Sequence, residues 1–127
     1  MLSKARAAAA LPVADLGRAK KFYGEVLGLS VKAENADGVE YSCGGGTSVF
    51  VYPSGYAGTN QATAAGFDVD DLDAAMKDLE SRGLTFEEYD LPGIKTVKGV
   101  VTMPDGSRGA WFKDTEGNIL CVHEIIK

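Results

Sequence analysis

An internal repeat is the feature that most constrains how this chain can fold. Residues 8–21 and 64–77, aligned at an offset of 56, carry the same residue at seven of 14 positions. Alanine richness explains two of these identities, so the shared pattern Val-x-Asp-Leu-x-x-Ala-x-Lys is the stronger part of the match. A second match aligns residues 46–52 with residues 117–123. The repeat predicts that the chain contains two copies of one supersecondary unit.

Each copy is predicted to contain one helix and four strands. A short apolar run ends at Asp15 in the first copy and at Asp71 in the second, where a carboxylate can cap the helix that follows. Apolar residues then recur at helical spacing until Gly28 or Gly83, which are typical of a helix end. Three strand-like runs follow each helix, at residues 29–34, 39–43, 47–52, 84–89, 108–113 and 118–125.

The alanine-rich start of the first copy carries two conflicting signals. Residues 7–10 favour a helix by intrinsic propensity. The matching residues 64–69 end in Gly-Phe-Asp-Val, which is typical of a strand, and Pro12 would interrupt a helix. We therefore predict a strand at the start of each copy. In the second copy, an insertion at about residues 91–105 contains an apolar run, 97–103, that is predicted to form an extra strand or a lid segment.

These elements predict an α+β fold made of two tandem βαβββ units. One helix can cover only one face of a four-stranded sheet, so the two sheets are expected to join. The expected result is a curved mixed sheet, a half-barrel around a central cleft, with the helices on its outer face. All 127 residues are assigned to one domain, with unit one at about 4–53, a linker at about 53–63 and unit two at about 63–126.

The charge balance and the cysteines limit which partners and which cellular location can be expected for the protein. Lys and Arg number 13 against 18 Asp and Glu, which gives a net charge of −5, so neither nucleic acid nor an anionic membrane surface is an expected partner. No apolar run approaches the roughly 20 residues of a membrane helix, and no signal peptide is predicted. The two cysteines, Cys43 and Cys121, fit no zinc spacing, and we expect reduced thiols in a cytoplasmic protein.

The two units resemble the vicinal oxygen chelate superfamily, which includes glyoxalase I, bleomycin-resistance proteins, fosfomycin-resistance enzymes and extradiol dioxygenases. The resemblance rests on Pro-Val-Ala-Asp-Leu-Gly-Arg-Ala-Lys-Lys-Phe-Tyr-Gly-Glu-Val-Leu-Gly-Leu at 12–29, Gly-Phe-Asp-Val-Asp-Asp-Leu-Asp-Ala-Ala at 66–75 and Ala-Trp-Phe-Lys-Asp-Thr-Glu-Gly-Asn-Ile-Leu at 110–120. It covers nearly the whole chain and implies the family's fold. Because family members usually pair their subunits, and because such sheets keep free edge strands, we expect a homodimer.

The resemblance also indicates where family members hold a metal ion. The four ligand positions of the family fall on Ala8, Phe50, Ala64 and Cys121 in this sequence. Three of these side chains cannot bind a metal, and a lone thiol does not complete a site that needs three or four donors. The sequence contains a single histidine, His123, which excludes a site with two histidines from one chain. We therefore predict no metal and no cofactor, as in the bleomycin-resistance branch that this chain resembles.

Strand alternation predicts which side chains line the cleft. Aromatic walls and polar points on the inward faces suit an organic molecule with some flat apolar surface. The acidic net charge and one inward carboxylate favour a cationic ligand. Each inward aromatic ring could instead fill the cleft as core, the histidine could be structural, and the cysteine could be a small buried filler. The predicted ligand-binding residues are Phe50, Tyr52, Asp68, Trp111, Cys121 and His123.

Three functions remain open at this stage. The first is a metal-free protein of the bleomycin-resistance or glyoxalase-like type that binds a small organic ligand. The second is a glyoxalase-like lyase or isomerase that uses His123, Tyr52 or a carboxylate such as Glu40 as acid or base. The third is a structural or regulatory dimer whose cleft is filled by its own side chains. The sequence assigns no catalytic residue.

Overall fold

The computed structural model describes residues 1–125, and the two predicted units form two four-stranded sheets. The predicted end of unit two at residue 126 lies outside the described residues. Unit one consists of β1 (Ala8–Val13), α1 (Leu16–Lys21), β2 (Ser30–Asn35), β3 (Gly38–Ser42) and β4 (Ser48–Pro53). Unit two consists of β5 (Thr63–Val69), α2 (Leu72–Ser81), β6 (Asp90–Leu91), β7 (Ile94–Lys95), β8 (Val101–Thr102), β9 (Arg108–Lys113) and β10 (Ile119–Glu124).

The two sheets have the same topology, which confirms the repeat and the α+β fold. Their strand orders are β1-β4-β3-β2 and β5-β10-β9-β8, and β6 and β7 form a separate small hairpin. In each sheet the first two strands of the order are parallel and the remaining pairs are antiparallel. The sheets meet where β1 lies beside β5. Within the described residues, no helix has the length and hydropathy needed to cross a membrane.

The core lies between the helices and the helix-facing side of both sheets. Alternate strand residues are fully or almost fully buried there, while their neighbours on the same strands face the opposite side. The alternation predicted from the sequence is therefore confirmed for β1, β4 and β10. The core residues of these three strands are Leu11, Val13, Val49, Val51, Leu120 and Val122.

Both helices begin at the predicted capping residues. The Asp15 carboxylate accepts from the Arg18 amide at 3.0 Å, and the Asp71 carboxylate accepts from the Ala74 amide at 3.0 Å. Beyond α1 the chain continues through a wider π-helical turn, Phe22–Val26. This turn directs two successive aromatic residues, the first of them Phe22, into the core.

The predicted strand at residues 84–89 is wrong. Only one backbone bond joins this segment to the sheet, from the Glu87 amide to the Trp111 carbonyl at 2.8 Å. The rest of that edge is taken by β8, which belongs to the insertion and lies within the apolar run predicted as an extra strand or lid. Leu84 and Phe86 still pack against the core. The alternation of apolar residues in this segment therefore indicates burial and not pairing with a sheet.

One buried glutamate connects unit one to unit two. The Glu116 carboxylate, on the hairpin between β9 and β10, accepts from the backbone amides of Ala14 and Asp15 at 3.0 and 2.9 Å. It also pairs with the Arg18 guanidinium at 2.7 Å. These contacts fix the start of α1 onto the second unit. The Arg18 side chain, with the Thr115 hydroxyl and the two amides, lowers the pKa of Glu116 to about 2.

Candidate ligand-binding site

Each sheet has an open face, which we define as the face opposite its helix. On unit one, the first open face carries Phe50 and Tyr52, since Val51, the residue between them in sequence, belongs to the core. On unit two, the second open face carries Trp111 and Cys121, which are paired directly across β9 and β10, and His123. The predicted inward residues therefore lie on two separate open faces, one per sheet.

The first open face presents a stacked aromatic pair beside a carboxylate. The Phe50 and Tyr52 rings are 5.9 Å apart and nearly parallel, with an interplanar angle of 11°. Gly38 makes room for this pair, because a Cβ at that position would collide with the Val51 carbonyl oxygen and lie 2.9 Å from the Phe50 ring. Glu40 stands opposite Phe50 on the neighbouring strand.

Three neighbours keep the Glu40 carboxylate ionised. The nearby Ser48 hydroxyl lowers the pKa of Glu40 most, although it does not reach hydrogen-bond geometry, and the Arg6 and Lys32 cations lower it further. The Arg6 guanidinium lies 3.3 Å from the carboxylate and the Lys32 ammonium 4.0 Å away. This environment makes Glu40 a poor proton donor at neutral pH.

The second open face contains the larger of two cavities that involve predicted residues, with a volume of about 730 Å³. The Trp111 indole lies against it, meets the Tyr89 ring edge to face at 5.5 Å, and donates from Nε1 to the Thr63 hydroxyl at 3.0 Å. Leu91 and Ile94 of the β6–β7 hairpin form one wall. We call this space the tryptophan cavity, and its lining residues are Gly58, Asn60, Gln61, Ala62, Thr63, Glu87, Tyr89, Leu91, Ile94, Trp111, Lys113, Gly117 and Ile119.

The charged groups of the tryptophan cavity neutralise each other. Among residues 1–125, Glu87 and Lys113 are the charged residues of its lining, and their side chains lie 3.4 Å apart. The other polar side-chain groups of the lining are the two amides of Asn60 and Gln61, the hydroxyls of Thr63 and Tyr89, and the indole N–H of Trp111. The cavity therefore offers an aromatic and amide-rich surface without net charge. Its volume also argues against a cleft filled by the chain's own side chains.

A histidine–carboxylate pair lies elsewhere on the second open face. His123 Nδ1 is 3.6 Å from Asp68 Oδ1, and the two residues are register partners on β10 and β5. The Ser107 hydroxyl and amide lower the pKa of the nearby Asp105, and His123 lowers it slightly further.

A second cavity, of about 550 Å³, opens at the seam between the two sheets, where β1 lies beside β5. Asp68 lines this seam cavity together with the half-buried Cys43 and the start of β1. Of the six predicted ligand-binding residues, Trp111 lines the tryptophan cavity and Asp68 lines the seam cavity. Phe50 and Tyr52 lie apart on the first open face. The sequence therefore identified the faces but not the grouping of the residues.

The donor set does not fit the metal site of the resembling family. A β-bulge between β5 and β10 leaves Ala64 without a register partner, and this residue packs, partly buried, against the core. Burial, assisted by the Asp68 charge, raises the pKa of the Cys121 thiol, which disfavours the thiolate that a metal requires. Among residues 1–125, no three His, Cys, Asp or Glu side chains are placed to hold a metal ion.

Sequence reasoning missed the residues that shape the tryptophan cavity. Tyr89 falls at the end of a segment predicted as a strand, so its contact with Trp111 was not foreseen. The β6–β7 hairpin lies within the insertion, and its turn at Pro92-Gly93 is a recognisable signal that could have revealed it. The ion pair of Glu87 with Lys113 joins a loop to a strand, and no sequence pattern indicates it.

The chain is similar to one protein family over most of its length. The family profile described as the Glyoxalase/Bleomycin resistance protein/Dioxygenase superfamily matches residues 6–122. No curated protein sequence gives a significant match. A lactoylglutathione lyase from Agrobacterium tumefaciens has a similar structure, with a TM-score of 0.71 and 21% identity, over 95% of this chain and 93% of that protein.

Two further solved structures are similar over almost the whole chain. An antibiotic binding protein from Streptomyces sp. CB03234 has a TM-score of 0.68 and 21% identity, with 99% of both chains covered. A member of the same superfamily from Sphaerobacter thermophilus DSM 20745 has a TM-score of 0.73 and 24% identity, over 98% of this chain and 100% of that one. At these identities the structures establish a shared fold and leave the activity open.

Proposed function

The chain belongs to the Glyoxalase/Bleomycin resistance protein/Dioxygenase superfamily, and we propose that it binds a flat, uncharged organic molecule in the tryptophan cavity without a metal ion. The observation that carries this proposal is the cavity itself, about 730 Å³ in volume, with the Tyr89–Trp111 pair on one side. A volume of this size holds a drug-sized molecule. The structural similarity to an antibiotic binding protein supports a ligand-binding role for this fold.

The charges around the cavity decide which ligand class is proposed. The sequence favoured a cation because of the acidic net charge and Asp68, but Asp68 lines the seam cavity and not the tryptophan cavity. Glu87 and Lys113 cancel within the tryptophan cavity. A neutral polycyclic ligand can bury its faces against the rings and satisfy its polar edge with Asn60 and Gln61, so it leaves no buried charge unpaired.

The fluorescence of Trp111 provides a direct test, because the chain contains one tryptophan. Acridone, a neutral tricyclic compound, should quench this fluorescence on binding, and the similarly shaped cation proflavine should bind more weakly. Calorimetry on Trp111→Ala should show that acridone binding is lost. Tyr56→Ala, which removes an exposed aromatic residue of the linker, is the control and should bind as the parent chain does. Acridone binding that survives Trp111→Ala would refute the proposed site.

Metal independence is a separate part of the proposal. It is supported by Ala8, Phe50 and Ala64 at positions where the resembling family has ligands, and by the protonated character of Cys121. The protein purified without a His tag should hold less than one equivalent of transition metal per chain, and a chelator should leave acridone binding unchanged. Loss of binding on chelation, restored by one added metal ion, would contradict it.

We also propose that the protein is a cytoplasmic homodimer. The stacked Phe50 and Tyr52 rings lie on the first open face, away from the tryptophan cavity, and a two-fold dimer can place this face of one chain over the cavity of its partner. Cys43 and Cys121 do not pair with each other, which supports the proposal of a reducing compartment. Light scattering should give about twice the 13.4 kDa chain mass, and a monomer at tens of micromolar would contradict the dimer.

A lyase or isomerase activity is the second candidate, and the His123–Asp68 pair favours it. A carboxylate beside the imidazole can orient it as a general base. If the chain has this activity, His123→Gln should abolish it and Asp68→Asn should reduce it, while Tyr56→Ala should leave it unchanged. Assay of lactoylglutathione lyase activity, by analogy with the similar protein from Agrobacterium tumefaciens, is the first test. No turnover by the parent chain would remove this candidate for that substrate.

A further inference from the structure

A groove on the opposite side of unit two carries three lysines. The groove lies between α2 and the segment that runs from β7 to β8, and its volume is about 540 Å³. It shares no lining residue with the tryptophan cavity. Its apolar floor consists of Met76, Val97 and Val100. We call it the lysine groove, after the lining residues Lys77, Lys95 and Lys98.

The charges in the lysine groove do not cancel. Within residues 1–125, none of the three lysines forms an ion pair or donates a side-chain hydrogen bond. Asp73, which also lines the groove, is held at both carboxylate oxygens by Arg108, at 3.3 and 3.1 Å. Glu80 is the one other acidic lining residue. Among the described residues, the lining therefore has three unpaired ammonium groups and one unpaired carboxylate, that of Glu80. The groove is locally positive, although the net charge of the chain is −5.

The backbone holds one of these lysines in an unfavourable conformation. Lys98 has a φ of 53°, and among the described residues it is the one non-glycine with positive φ. It precedes Gly99, φ 81°, at the tip of a tight turn between Val97 and Val100. Such turns favour Asn or Gly at the first position, where Lys costs stability.

The turn is also fixed in place from below. The Gly99 amide donates to the Glu88 carboxylate at 2.6 Å, and a Cβ on Gly99 would come within 3.3 Å of Phe86 and 3.4 Å of Met76. The turn therefore rests directly on the core and cannot shift easily. The same turn holds Val97, which is 67% exposed, at the outer edge of the apolar floor.

From this arrangement we infer that the lysine groove binds a small organic dianion, such as a phosphate monoester, whose apolar part lies on Met76, Val97 and Val100. The ammonium groups provide several donors for a tetrahedral dianion. The apolar floor provides a surface that inorganic phosphate alone would not use. A lysine kept on a strained, rigid turn is explained by a binding role, since a glycine there would serve folding better.

The test uses 1-naphthyl phosphate and 1-naphthol as a matched pair of probes. In amide NMR titrations of the whole chain, 1-naphthyl phosphate should shift residues 97–99 and Lys77. 1-Naphthol, which lacks the phosphate, should bind at least about tenfold more weakly, as expected for loss of charge-assisted hydrogen bonds. Higher salt should weaken the phosphate probe and leave the naphthol unaffected. Equal affinity of the two probes, or shifts confined to the tryptophan cavity, would overturn the inference.

A substitution that helps folding separates binding from stability. Lys98→Gly should raise the melting temperature, because it removes the strained φ, and should weaken 1-naphthyl phosphate about tenfold. The triple variant Lys77→Gln, Lys95→Gln and Lys98→Gly should abolish detectable binding. Lys113→Gln, a lysine of the tryptophan cavity, is the control and should leave the phosphate probe unaffected. Parent-like affinity in the triple variant would overturn the inference without touching the proposed function in the other cavity.

Discussion

The two units start their helices in the same way but anchor them differently. Asp15 and Asp71 cap the two helices with the same geometry. The first helix is then fixed by Glu116, whose side chain is wholly buried and belongs to the other unit. The second is fixed by Glu124 of its own unit, which accepts from the Leu72 amide at 3.0 Å and is 24% exposed. Unit one therefore depends on unit two for its helix, whereas unit two supplies its own anchor.

Removing each anchor should give the largest difference between the units. Glu116→Ala removes a wholly buried carboxylate and leaves two part-buried amides, those of Ala14 and Asp15, without their acceptor, and we expect it to lower the free energy of unfolding by about 2–4 kcal/mol. Glu124→Ala should cost about 1 kcal/mol, because the Glu124 carboxylate is partly exposed and accepts from one helix-start amide, that of Leu72. Urea unfolding of both variants measures the difference. Equal losses of unfolding free energy would show that the Glu116 anchor between the units stabilises the chain no more than the Glu124 anchor within unit two.

The same anchor predicts an acid-sensitive stability. The pKa of Glu116 is lowered to about 2 in the folded chain, against an ordinary value of 4.5. Because the folded pKa is the lower one, this stabilisation is complete above about pH 4.5 and is lost as the pH falls towards 2. Melting temperatures of the parent chain and of Glu116→Gln should therefore converge as the pH is lowered from 5 to 2. A constant gap over that range would contradict the pKa shift.

The helix caps should show the opposite result, an equal loss in both units. Asp15→Ala and Asp71→Ala each remove one carboxylate from one backbone amide, and each should cost about 1 kcal/mol of stability. Asp15→Asn and Asp71→Asn keep an acceptor and should recover most of the loss. A markedly larger effect of Asp15→Ala would mean that the cap and the Glu116 anchor act together and are not independent.

The sequence predicted what repeats in this molecule, and it failed where the copies diverge. The helix caps, the strand at residues 8–13 and the core alternation all follow from local patterns that occur in both copies. The edge of the second sheet does not, because β8 from the insertion replaces most of the predicted strand at residues 84–89. Local alternation of Leu84 and Phe86 indicates burial, but which segment pairs with β9 is decided by tertiary competition.

The sequence also could not predict which site residues lie together, because this too depends on tertiary packing. Alternation correctly separated Phe50 and Tyr52 from the core residues of β4, since side-chain direction follows from register alone. The distances between faces, however, depend on how the two sheets pack, and Trp111 and Asp68 line different cavities as a result. The ion pair that sets the charge of the tryptophan cavity joins a loop to a strand, and only the fold brings it together.

The smallest predicted effect on stability comes from the ion pair on the second open face. On the second face, Lys113 and Glu87 pair at 3.4 Å and are 54% and 32% exposed, so Lys113→Gln should change stability by less than about 0.5 kcal/mol. Its effect on binding should be larger, because Glu87 then faces the tryptophan cavity without its partner. Proflavine should bind more tightly than to the parent chain, and acridone should bind about equally well.

A surface lysine of unit one supplies the matched control for this change of charge. Lys20 pairs with Glu34 at 2.7 Å and, like Lys113, is about half exposed. Lys20→Gln removes the same charge from the chain but lies away from the tryptophan cavity, so the preference between proflavine and acridone should stay that of the parent. If both variants favour proflavine equally, then the net charge of the chain sets the preference, and the local pairing of Glu87 with Lys113 does not. A preference that reverses only in Lys113→Gln assigns the choice of ligand charge to that one ion pair.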